Sequence, residues 1–110
     1  MKVEEKGHTI IIRDTKGDSV AFLMKVTHEY KSFENHNLII DILQDTNISL
    51  KEIKSFELLS KQHRKAKKSF VLVVAATDFN ALPATLIVVP SIREAHDIIE
   101  MEEIERDLGF

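Results

Sequence analysis

Two apolar runs, Leu38-Ile39-Ile40-Asp41-Ile42-Leu43 and Phe70-Val71-Leu72-Val73-Val74-Ala75, constrain this chain more than any other feature. Each is almost continuously hydrophobic and rich in β-branched residues. Each therefore reads as a strand covered on both faces, as parallel strands usually are. A polar gap, a helix start and a helical apolar period lie between them. Strand, helix and strand in that order make a right-handed crossover. The two runs are thus expected side by side, in the same direction, in the middle of the molecule.

The remaining elements follow from the same rules. Residues 2–6 and 9–14 flank Gly7-His8, which predicts an antiparallel hairpin at a sheet edge. Asp18 is placed to cap a helix over residues 19–33, whose Phe22, Leu23, Val26, Tyr30 and Phe33 share one face. Ser49 and Glu52 have capping-box spacing, with Ile48 and Ile53 as a hydrophobic staple. Leu50, Ile53, Phe56 and Leu59 continue as the stripe of one helix. It ends in Lys65-Ala66-Lys67-Lys68, where cations suit the negative end of the dipole. Residues 77–82 allow at most a short helix, and residues 85–89 form a last strand. Ser91 and Glu94 repeat the capping box before a final helix. Its apolar positions are Ile92, Ala95, Ile98, Ile99, Met101, Ile104 and Leu108. Gly109 suits a left-handed stop, with Phe110 folding back. The order β-β-α-β-α-β-(short α)-β-α predicts an α/β fold. Its sheet is mixed and mostly parallel, with an N-terminal hairpin and helices packed on it, in one domain spanning residues 1–110.

Composition removes several function classes. With no cysteine, disulfides and thiolate metal sites are excluded. None of the five histidines is paired at the i, i+4 spacing of a helical zinc site. His63 and His96 are expected at the edges of packed helix faces, in surface or capping roles. There is no glycine-rich phosphate loop and no Gly-x-Ser-x-Gly elbow. Asp41 is the oddest charge: burial unpaired would be costly, so it is expected at a strand end or bonded to backbone. No second acid stands beside it to tune it for catalysis. No catalytic residue, metal or cofactor is therefore expected. No apolar run approaches the roughly 18 residues of a membrane span. The charged opening is not a signal peptide, so a cytoplasmic location without membrane contact is expected.

Charge is unevenly distributed. Residues 51–68 hold seven basic residues against two acidic ones, and residues 94–107 hold seven acidic residues against one arginine. Such asymmetry steers partners. The basic run lacks interleaved aromatics and the net charge is −3, which argues against nucleic acid. The acidic final helix meeting the basic helix of a second copy would give a salt-sensitive homodimer. Asp45, Thr46, Asn47 and Ser49 follow the first central run, and Asp78 and Asn80 follow the second. On adjacent strands these groups share one rim at the carboxyl ends, where α/β proteins hold ligands. The same residue types also make turns and caps, and that role accounts for most of them.

The element order and lengths resemble the STAS domain, the fold of anti-sigma-factor antagonists and sulphate-transporter tails. The likeness covers nearly the whole chain. It is clearest from "LIIDI" through the polar loop and "KAKKS" to "FVLVV", with "KVEEKGHTIIIRDTKGD" as the first hairpin. That family's Asp-Ser-Ser-Gly motif, phosphorylated on its second serine by a partner kinase, falls here on Ser49-Leu50-Lys51-Glu52. Lys51 stands at the acceptor position, or Leu50 if the alignment is shifted by one, and Glu52 at the glycine, so the resemblance implies a family member without the phosphorylation switch; Ser49, in the aspartate's place, is the remaining candidate acceptor. Small bacterial chains of this appearance are also called ribonuclease Z. That enzyme resembles the metallo-β-lactamases and needs a His-x-His-x-Asp-His run, which this chain lacks.

The resemblance implies a non-catalytic, protein-binding regulatory module. It would present Asp45, Thr46, Asn47, Ser49, Lys51 and Lys54 to a protein partner. The alternatives are a role in RNA metabolism served by the basic helix end, and a small-ligand sensor at the Asp78–Asn80 rim.

Overall fold

The computed structural model of the protein describes residues 1–109. Phe110, expected to fold back on the last helix, lies outside the described residues. Five strands form one sheet in the order of the chain: β1 (Lys2–Lys6), β2 (Thr9–Arg13), β3 (Asn37–Asp41), β4 (Phe70–Val73) and β5 (Ile87–Val89). The β1–β2 hairpin is antiparallel and all other neighbours are parallel. β3 is the middle strand, with Leu38 opposite Phe70 and Ile40 opposite Leu72. The two apolar runs therefore lie side by side and in the same direction.

That strand order decides where the helices go. Each parallel crossover steps to the next strand in the same direction, so right-handed connections put every connecting helix on one face. α1 (Ser19–His28), α2 (Leu50–Lys54) and α3 (Glu57–Lys65) all pack there. Phe22, Val26, Ile53 and Leu59 meet Ile10, Ile12, Leu38, Ile40, Phe70 and Leu72. The other face would be bare without α4 (Ile92–Asp107), whose Ala95 and Ile99 cover Ile11, Ile39, Val71 and Val73. Alternate residues of β3 and β4 thus serve two cores, which is why both runs are apolar throughout.

The helix starts use the residues expected of them. The Asp18 carboxylate accepts the Ala21 N–H at 3.1 Å. Ser49 Oγ accepts the Glu52 N–H at 3.1 Å, and Glu52 Oε1 accepts the Ser49 N–H at 3.0 Å, completing the capping box. At α4, Ser91 Oγ accepts the Glu94 N–H, but Glu94 Oε2 accepts the Ser91 hydroxyl rather than its N–H. The second box is therefore incomplete.

Several elements are shorter or more broken than their pattern predicts: β3 and β4 end at Asp41 and Val73, before their apolar runs do. α1 stops at His28, and Tyr30–Ser32 is a 3-10 turn. Positions i and i+3 eclipse in that geometry, which turns both Tyr30 and Phe33 into the core. The expected single helix after Ser49 is divided at Ser55-Phe56. The Ser55 hydroxyl donates to the Glu52 carbonyl, and the Phe56 N–H donates to Ile53 at 3.1 Å. Serine back-bonding of this kind bends helices, and here both Ile53 and Phe56 are fully buried. β5 begins at Ile87 because Leu86 donates to Pro83 in a turn. On α4, Met101, Ile104 and Leu108 are not core residues; they are 61%, 53% and 67% exposed.

Candidate functional site

At the carboxyl rim, Asp41 is 2% exposed and both of its oxygens are bonded. Arg13 Nε donates to Oδ2 at 2.7 Å and the Leu43 N–H to Oδ1 at 3.0 Å. This is the strand-end, backbone-bonded placement expected of it, with an arginine added. The Asp14 N–H donates to the Asp41 carbonyl, and Asp14 Oδ1 accepts the Lys16 backbone N–H. Gly17 sits at φ +67°, and a Cβ there would meet the Gln44 carbonyl at 3.1 Å. Glycine is therefore favoured both by conformation and by the close approach of the Gln44 carbonyl.

The predicted contact residues lie beyond this clamp. Thr46, Asn47 and Ser49 are exposed and Asp45 is half-buried. Lys51 and Lys54 are exposed on α2, and among the described residues neither is in an ion pair. Glu52 Oε2 also accepts the Ser19 hydroxyl at 3.1 Å, which ties the N-terminus of α2 to that of α1. The hydrogen bonds from Ser49, and then from Ser19, hold the Glu52 carboxyl below its usual range. Asp78 caps the 3-10 turn Phe79–Ala81, accepting the Asn80 N–H at 3.2 Å, and both residues are exposed. The Asp45–Ser49 and Asp78–Asn80 segments follow adjacent strands, as expected. However, the strand order never reverses, so the rim has no switch point and no crevice between oppositely directed crossovers.

At the opposite end of the sheet is a polar network that residue types alone did not reveal. His63, expected at a helix edge, is fully buried. Its Nε2 lies 2.7 Å from the His36 carbonyl and its Nδ1 2.7 Å from the Tyr30 hydroxyl. A carbonyl only accepts, so Nε2 carries the proton and Nδ1 accepts from Tyr30. Burial foremost, then the Lys68 and Arg64 charges, push the imidazole down to about 4 against the opposing pull of the His36 carbonyl. Burial, with the Glu34 charge, raises the Tyr30 phenol.

Beside this network, Asn37 Oδ1 accepts from Ser69 N–H at 2.9 Å and from Arg106 at 3.3 Å. Arg64 bridges the basic and acidic segments within the molecule. It donates to Glu102 at 3.1 Å and to the Phe70 carbonyl at 2.9 Å. A cleft of about 350 Å³ opens here, lined by His8, Asn35, His36, Asn37, Lys67, Lys68, Glu103, Arg106 and Asp107. These residues come from separate stretches of chain, so no local spacing announces the cleft. A second cavity of about 270 Å³ lies against α1, with Met1, Asp14, Lys16, Asp18, Ala21, Phe22 and Lys25 on its walls. The predicted contact residues line neither space.

Among the described residues, no group of three or more His, Asp or Glu side chains is arranged to hold a metal ion. No described helix is long and apolar enough to cross a membrane. In comparisons with known proteins, no family model matches the chain and no curated protein matches it.

Proposed function

We propose that this protein is a non-catalytic, STAS-type interaction module that binds a protein partner. The partner would meet the 44–49 loop and the exposed side of α2, through Asp45, Thr46, Asn47, Ser49, Lys51 and Lys54. The observation that carries this reading is the Ser49–Glu52–Ser19 network. It ties the α2 N-terminus to that of α1, while Thr46, Asn47, Lys51 and Lys54 around it remain exposed. A fixed scaffold displaying uncommitted polar groups limits the entropy lost on binding, and the lysines steer an acidic partner. The mixed sheet with its antiparallel N-terminal hairpin supports the STAS kinship. With Lys51 or Leu50 at the position of the family's phosphoacceptor, the proposed docking is not switched by phosphorylation at that position.

The RNA-metabolism reading receives less support, because Arg64 of the basic run is already committed to Glu102 and the Phe70 carbonyl. The small-ligand reading is weakened by the missing switch point.

Capture from native lysate tests the proposal. Wild type should retain a specific protein that Thr46→Arg combined with Lys54→Glu loses. Equal retention by both overturns the proposed surface.

A further inference from the structure

The acidic helix carries an apolar ridge that takes no part in either core cluster of the described residues. Met101, Ile104 and Leu108 follow at i, i+3 and i+7, opposite the Ala95–Ile99 side that packs on the sheet. Glu100 and Glu105 flank the ridge and are exposed. Three consecutive large apolar side chains aligned along one helix differ from apolar residues scattered singly. An apolar strip with a charged rim has the make-up of an interface core and its border.

The matching surface is on the same molecule, on the other face of the sheet. Leu58 of α3 is 80% exposed. Lys61 and Lys65, at i+3 and i+7 from it on the same helix, and Lys54 at the end of α2 are exposed as well, with Lys61 also 3.8 Å from Glu57. Pairing two α4 helices would instead bring acidic residues against acidic residues, which is repulsive.

We infer that the Met101–Ile104–Leu108 ridge of α4 docks on the Leu58 face of α3 in a second copy of this chain, with Glu100 and Glu105 set against the lysines. The inference rests on reading the basic α2–α3 face as a protein-binding surface, and it names one occupant of that face. The two surfaces lie on opposite sides of the sheet, so the contact is heterologous. Each copy keeps one surface unsatisfied, and association continues past the dimer rather than closing on a two-fold axis.

Sedimentation of the purified full chain tests this. Weight-average mass should rise with concentration beyond twice the 12.6 kDa of one chain. Association should weaken towards 1 M NaCl, where the Debye length is about 3 Å and the glutamate–lysine contacts at the rim are screened. Leu58→Glu and Ile104→Lys each alter an exposed side chain, and thermal melts verify that both variants fold. Each variant alone should remain a single chain. Their equimolar mixture should form a dimer and stop there, because one intact ridge meets one intact basic face. A wild type of constant single-chain mass overturns the inference, and so does a dimer indifferent to Leu58→Glu. If a lysate partner is still captured through Thr46 and Lys54, only self-association fails. If capture is indifferent to that pair as well, the binding-surface reading fails with it.

Discussion

The Tyr30 hydroxyl donates to His63 Nδ1 across 2.7 Å, inside the core that joins α1, α3 and β4. The His63 ring also stands edge-on to Tyr30 and to Phe70. A neutral imidazole is thus built into the fold.

This makes stability depend on pH with a defined sign. The folded His63 value of about 4 lies below the ordinary 6.5, so the unfolded chain takes up a proton first as pH falls. Its contribution is fully present above 6.5 and lost progressively between 6.5 and about 4. Urea unfolding at points through this window should show a loss of about 2–3 kcal/mol. His63→Gln should start less stable and lose most of that slope.

Removing the other half of the pair has a separate effect. Tyr30→Phe leaves a buried imidazole nitrogen without its donor, and should cost about 1–3 kcal/mol at neutral pH by urea unfolding.

Asp41 should behave as structure. Asp41→Ala orphans the Leu43 N–H and the Arg13 guanidinium, and should lower stability by about 2–4 kcal/mol. The Arg13 side chain is partly exposed, which keeps the loss towards the lower end. Asp41→Asn still offers an acceptor and should cost less. Partner capture normalised to folded protein should be unchanged in both.

Lys67 occupies a position that favours glycine. Its φ is +65°, its N–H donates to the Arg64 carbonyl, and the Lys68 N–H donates to His63, which is a Schellman stop. Lys67→Gly should raise stability by about 0.5–1 kcal/mol, whereas Lys67→Ala should not. Thermal melts distinguish the two.

Much of the architecture was readable from short-range patterns. The runs at 38–43 and 70–75 named the central strands, and Asp18, Ser49 and Ser91 marked helix starts. These signals need only neighbours a few positions away. The division at Ser55-Phe56 escaped because Leu50, Ile53, Phe56 and Leu59 keep a helical spacing across it. His63 was misplaced because its partners, Tyr30 and His36, lie 33 and 27 positions earlier in the chain. The ridge on α4 was merged with the core stripe because one helix carried apolar residues on both sides. Only the sheet shows that Ala95 and Ile99 are the side used. The Asp45–Ser49 and Asp78–Asn80 segments do follow adjacent strands, but spacing could not show that the strand order leaves no crevice beside them.

The most direct measurement is an amide chemical-shift map of the labelled chain on addition of the captured protein. The account predicts that the largest changes fall on residues 44–54, centred on Thr46, Asn47, Lys51 and Lys54. Changes confined to the opposite end of the sheet, around His8, Asn37 and Arg106, would contradict it.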